Sequence, residues 1–194
     1  MQAPIGSLLA GGLKLANKTC FKVVIAYEDY PTGARAKTTY DYLLRAFGRD
    51  CEFDHTMWRF DALRIPELRQ IAANEAAQAD MIILGAWSRS PLPVEVKTWT
   101  EQWLQQKSPR LSTLTVLIEN HTGGSAKTAA AILDYWRDVS QRGRMDFFSQ
   151  ILNAPESAHG SVAWRTANGT TRIDAALDDA WENRERCPGW GINE

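Results

Sequence analysis

Short apolar runs alternate along this chain with segments whose apolar residues recur every three or four positions. "FKVVIAY" (21–27) is β-branched and compact, as a strand should be, and a glycine-containing turn, "EDYPTG", follows it. The next segment, "ARAKTTYDYLLRAFG", spaces Tyr40, Leu43, Leu44 and Phe47 for one helical face and stops on Gly48. "CEFDHTMWRF" predicts a second strand, interrupted by acids and His55. Pro66 is then placed for the first turn of a helix carrying Leu68, Ile71, Ala72 and Ala76 on one face. "ADMIILGAWS" is continuously apolar, the signature of a strand buried on both faces of a parallel sheet. "VEVKTWTEQWLQQ" follows with Val96, Trp99 and Trp103 on its stripe. "LSTLTVLIEN" predicts a fourth strand, "TAAAILDYWRDVSQRG" a fourth helix with Ile132, Leu133, Trp136 and Val139 inward, and "MDFFSQIL" a fifth strand.

That rhythm is one of repeated βαβ units, whose sheet is parallel and covered by helices on both faces. The predicted fold is a three-layer α/β/α sandwich, flavodoxin-like, with a five-stranded parallel sheet over 21–153. Residues 1–20 form an N-terminal extension. Its "LLAGGL" run is short and broken by glycine, and no basic segment precedes it. Residues 154–194 form a C-terminal addition packed on the same domain, with a hairpin around Asn168-Gly169 and a short helix over "DAALDDAWENRER".

Composition narrows the partners. A net charge of −1 with scattered Lys and Arg leaves no basic footprint for nucleic acid or a membrane surface. Apolar runs stop well short of a transmembrane span, so a cytoplasmic protein is expected. Cys20, Cys51 and Cys187 are odd in number and widely spaced, against a disulfide framework or zinc site. His55, His121 and His159 lack metal-ligand spacing, and no HExxH, GxSxG or Cys-His arrangement is present. "GGSAKT" departs from the phosphate-loop pattern at both glycines, where His121 and Ala126 stand. What remains is either a turn that cradles an anion or an ordinary helix start at Ser125.

In open parallel sheets, ligands bind beyond the carboxyl ends of the strands where strand order reverses. For order 2-1-3-4-5 the expected site lies in "YEDYPTG" and "GAWSRSPLP", and its residues are Glu28, Asp29, Lys37, Trp87, Ser88 and Arg89. Lys37 or Arg89 would contact an anion. Of eight tryptophans, Trp99, Trp103 and Trp136 read as core, whereas Trp58, Trp87, Trp164 and Trp190 fall at strand ends, loops or the tail. Trp87 is placed either to stack on a flat ligand or to pack under the "SPLP" turn.

Over Phe21 to Leu152 the strand and helix order, with the acidic pair closing the first strand, resembles the receiver domain of bacterial response regulators. That resemblance implies Mg²⁺ held by Glu28 and Asp29. The phosphoacceptor Asp is replaced by Gly85 between Leu84 and Ala86; the fourth strand ends on Ile118, Glu119 and Asn120 instead of Ser or Thr; and Ser149 and Gln150 stand near the expected Lys. The implied function is a non-phosphorylatable receiver-like signalling or interaction module, working with a protein partner or a second copy of itself. TIR domains offer a looser resemblance through Ser88, Ser90 and Glu95, which implies NAD hydrolysis with Glu95 as the catalytic acid. The segments Ala26–Asp29, Gly33, Ala36-Lys37, Phe60-Asp61 and Pro91–Trp103 resemble a group of small receiver-like bacterial proteins without assigned biochemistry. The rival reading is a binder of, or enzyme acting on, a nucleotide-like small molecule in the cleft between the first and third strand ends.

Overall fold

The computed structural model describes residues 20–47, 52–120, 125–153, 164–166 and 169–171. Its strands are β1 (Cys20–Tyr27), β2 (Glu52–Arg59), β3 (Met81–Trp87), β4 (Thr113–Asn120), β5 (Asp146–Asn153), β6 (Trp164–Thr166) and β7 (Gly169–Thr171). Its helices are α1 (Tyr30–Phe47), α2 (Pro66–Ala77), α3 (Val94–Gln106) and α4 (Ala126–Gly143), with a 3₁₀ turn over Phe60–Arg64. The sheet order is β2-β1-β3-β4-β5-β6-β7. The first five strands pair in parallel, and β6 and β7 continue the sheet antiparallel. This is the flavodoxin-like α/β arrangement. Residues 1–19 of the expected N-terminal extension, the loop at 121–124, and the terminal helix expected over 174–186 lie outside the described residues, while Cys20, counted in that extension, opens β1.

Side-chain alternation along the strands sorts the core into two layers. Val23 and Ile25 of β1, Ile83 of β3 and Leu117 of β4 meet Ala36, Tyr40 and Leu43 of α1 on one face. Val24, Ala26, Ile82, Leu84, Leu114 and Val116 point the other way, into a layer closed by α2, α3 and α4 with Trp99, Trp103 and Trp136 at its centre. Those three tryptophans are almost fully buried, as their helical spacing predicts. β2 lies at the sheet edge, and its side chains are only half-buried.

Three local expectations need correction. Ile71 is 48% exposed, and α2 buries Ala72, Ala73, Ala76 and Ala77 instead. At about 100° per residue Ile71 falls opposite the centre of that alanine face, which lets the helix approach its neighbours closely. Leu44 is 40% exposed because α1 turns Thr32, Ala36, Tyr40 and Leu43 inward. α1 also starts earlier than its apolar spacing suggests, taking in "YPTG" as its opening. Pro31 lacks an N–H, but in the first turn that donor has no intrahelical acceptor.

Among the described residues no helix is long and apolar enough to cross a membrane.

Candidate functional site

The reversal of strand order falls between β1 and β3, and both strand ends are bound tightly to the start of α1. Glu28 N–H donates to the Gly85 carbonyl at 3.0 Å, extending the β1–β3 ladder past the strand. A Cβ on Gly85 would stand 2.7 Å from the Thr32 carbonyl oxygen, so the glycine lets the first turn of α1 rest on β3. Gly33 gives the Tyr27 ring the same freedom, since a Cβ there would lie 2.6 Å from it.

Asp29 caps α1 through a reciprocal pair of bonds. Its Oδ1 accepts from Thr32 N–H at 3.3 Å and from the Thr32 hydroxyl at 3.1 Å, while Thr32 Oγ1 accepts from Asp29 N–H at 3.0 Å. Its other oxygen accepts from the Trp87 indole N–H at 2.7 Å and from Arg89 at 3.3 Å. Glu28 accepts from Trp87 N–H at 2.9 Å and pairs with Arg89 at 3.7 Å. The Arg89 guanidinium lies over the Trp87 ring, 5.1 Å from its centroid. The structure thus brings Glu28, Asp29, Trp87 and Arg89 together as a latch between the two strand ends.

Ser88 sits beside the latch but is buried, donating to Asn120 Oδ1 at 3.0 Å. Its backbone N–H donates to the Glu119 carbonyl, and its carbonyl accepts from Ser125 N–H at the start of α4. Ser125 is the N-cap of that helix, its hydroxyl accepting from Lys127 N–H. Lys37 stays away from the acids, paired with Asp41 and lying over Tyr40. Glu95 is also elsewhere. Its carboxylate accepts from Arg64 Nε at 2.6 Å, and that bond, the chief cause, holds its pKa below the usual glutamate range. Trp58 donates to Glu75 at 2.7 Å and packs on the core.

Glu119 was not among the expected site residues. It is the register partner of Trp87, so both side chains project to the α1 face at the carboxyl end of the sheet. Its Oε1 is buried and has no hydrogen-bond partner among the described residues. Burial raises its pKa, an effect that nearby Arg35 opposes and the Asp29 carboxylate reinforces. Glu119 therefore keeps its proton to higher pH than an ordinary glutamate, beside a carboxylate held by an indole and a guanidinium. The available signal was positional: "TVLIEN" is a buried central strand that ends on an acid, at the same edge of the sheet.

Some sheets of this order hold flavin mononucleotide at the reversal. A flavin phosphate needs free N–H groups at a helix N-terminus. At α1, Thr32 N–H already serves Asp29 Oδ1 and Gly33 N–H serves the Asp29 carbonyl. Two carboxylates stand at the same end, so these residues do not fit that phosphate. Among the described residues no group of three or more His, Cys, Asp or Glu is placed to hold a metal ion.

No protein-family model and no curated protein matches the chain. Solved structures do resemble it. A Trp repressor binding protein from Bacillus subtilis shares 10% identity at a TM-score of 0.44, covering 81% of this chain and 94% of its own. The Smu.1420 protein from Streptococcus mutans UA159 shares 12% identity at a TM-score of 0.45, covering 85% of this chain and 100% of its own. A protein assigned as a quinone reductase from Klebsiella pneumoniae shares 12% identity at a TM-score of 0.40, covering 89% of this chain and 87% of its own. None of these is named as a response-regulator receiver, and the receiver-like signalling or interaction reading is corrected. The geometry agrees with the correction, because the acids that suggested a receiver are engaged by Trp87, Arg89 and Thr32.

Proposed function

We propose that the protein binds a small nucleoside-like molecule on the α1 face, at the carboxyl ends of β1, β3 and β4. The observation that supports this reading is the unpartnered Glu119 Oε1, buried beside the Trp87–Arg89–Asp29 latch. A buried acceptor without a donor costs about 1–3 kcal/mol. A ligand N–H or O–H would remove that cost. Base edges and ribose hydroxyls supply such donors. The ligand brings no phosphate to α1, where Asp29 already fills that role. Glu119, holding its proton over a widened pH range, is also the group a reaction here would use as general acid.

Calorimetric titration with adenosine, guanosine, cytidine and uridine, on the wild type and on Glu119→Leu, tests this reading. The expected result is saturable binding of at least one nucleoside to the wild type, reduced tenfold or more in Glu119→Leu. Absence of binding across the four, or equal binding by the variant, would overturn it.

A further inference from the structure

On the opposite face of the sheet, a groove of about 250 Å³ opens between α3, α4 and the loop after β3. Pro91, Leu92 and Ile132 supply its apolar lining, Tyr135 its aromatic one, and Lys97 and Lys127 its charge. No acid lines it. Lys97 lies over the Tyr135 ring at 5.6 Å, and neither lysine forms an ion pair with a described residue. Lys127 also carries the wrong sign for its place. It stands in the first turn of α4, where the helix dipole is positive, and that turn contains no acid to balance it.

We infer that this groove binds a small anionic molecule with an apolar body, such as an aryl-substituted carboxylate. The carboxylate is drawn by the positive charge of Lys97 and Lys127, while the apolar part covers Leu92, Ile132 and Tyr135. The groove is smaller than the roughly 300–1,000 Å³ typical of drug-sized ligands, which suits a single ring with a short acid arm. This site is separate from the one at Glu119. The two lie on opposite faces of the sheet and ask for opposite chemistry, a hydrogen-bond donor at one and an anion at the other.

The test is an amide-shift NMR titration of the ¹⁵N-labelled full chain with 3-phenylpropionate and, in parallel, with 3-phenylpropanol, which keeps the ring but lacks the charge. The acid should shift amides around Leu92, Lys127, Ile132 and Tyr135 and bind at least tenfold more tightly than the alcohol. Lys97→Met/Lys127→Met should erase that preference. Equal affinity for acid and alcohol on the wild type overturns the inference without relying on any variant. So does the absence of binding, or acid-induced shifts confined to Trp87, Ser88 and Glu119. A nucleoside bound at Glu119 should leave the 3-phenylpropionate titration unchanged, so the two proposals fail independently.

Discussion

The carboxyl ends of β1 and β4 both carry acids, and the two ends treat them differently. At β1, Glu28 and Asp29 receive donors from Thr32, Trp87 and Arg89. At β4, Glu119 has one oxygen buried and unmet among the described residues. The conspicuous acidic pair thus ties the two strand ends to the start of α1, and the inconspicuous acid is the one whose oxygen goes unmet. Partner-seeking at a strand end is better judged by which acceptors lack donors than by how many acids stand in a row.

Substitution can break the β1 side of this comparison. Gly85→Ala has the largest expected effect, because the new Cβ meets the Thr32 carbonyl, a backbone atom that cannot swing away. Overpacking of this kind costs about 1–3 kcal/mol, read as a lower urea midpoint with an unchanged slope. Asp29→Ala removes the α1 cap together with the Trp87 and Arg89 contacts, and a loss of about 1–2 kcal/mol is expected in the same assay.

Glu119→Leu sharpens the contrast by moving in the opposite direction. Deleting a half-buried carboxyl with an unmet acceptor should stabilise the ligand-free protein by about 1 kcal/mol. The effect should depend on pH with a definite sign. The folded pKa of Glu119 is raised above its ordinary 4.5, so the folded state retains a proton that the unfolded chain has released. Stability from this group is therefore present below that pH and lost as pH rises through the folded pKa. The advantage of Glu119→Leu over wild type should grow as pH rises from about 4 through that window, as thermal melts taken at increasing pH would record. Arg89→Met is the smallest change. Its side chain is 53% exposed, and an ion pair of that kind contributes under about 1 kcal/mol.

Much of the fold was legible because burial leaves a strong mark on composition. "DMIILGAW" reads as a strand of the kind buried on both faces, and the Trp99, Trp103 and Trp136 spacing placed the helix cores correctly. Phase was harder to read where small residues decided it. In α2 the bulky Ile71 points to solvent because four alanines make the closer contact. The start of α1 was hidden in a side-chain exchange between Asp29 and Thr32, which apolar spacing does not register. For the site, the sequence located the strand ends but not the bonding between them. Glu28, Asp29, Trp87 and Arg89 were found together, whereas Lys37 and Glu95 were drawn to Asp41 and Arg64. Glu119 was noted only as a departure from the receiver pattern, because an unmet hydrogen bond is a property of surroundings, which no single residue displays.

Thermal melting of wild type and Glu119→Leu, with and without the nucleosides, tests the central claim most directly. Glu119→Leu should melt above the wild type when no ligand is present, and nucleoside should raise the melting temperature of the wild type alone. A variant that melts below the wild type, or one that keeps the nucleoside-induced rise, would contradict the account.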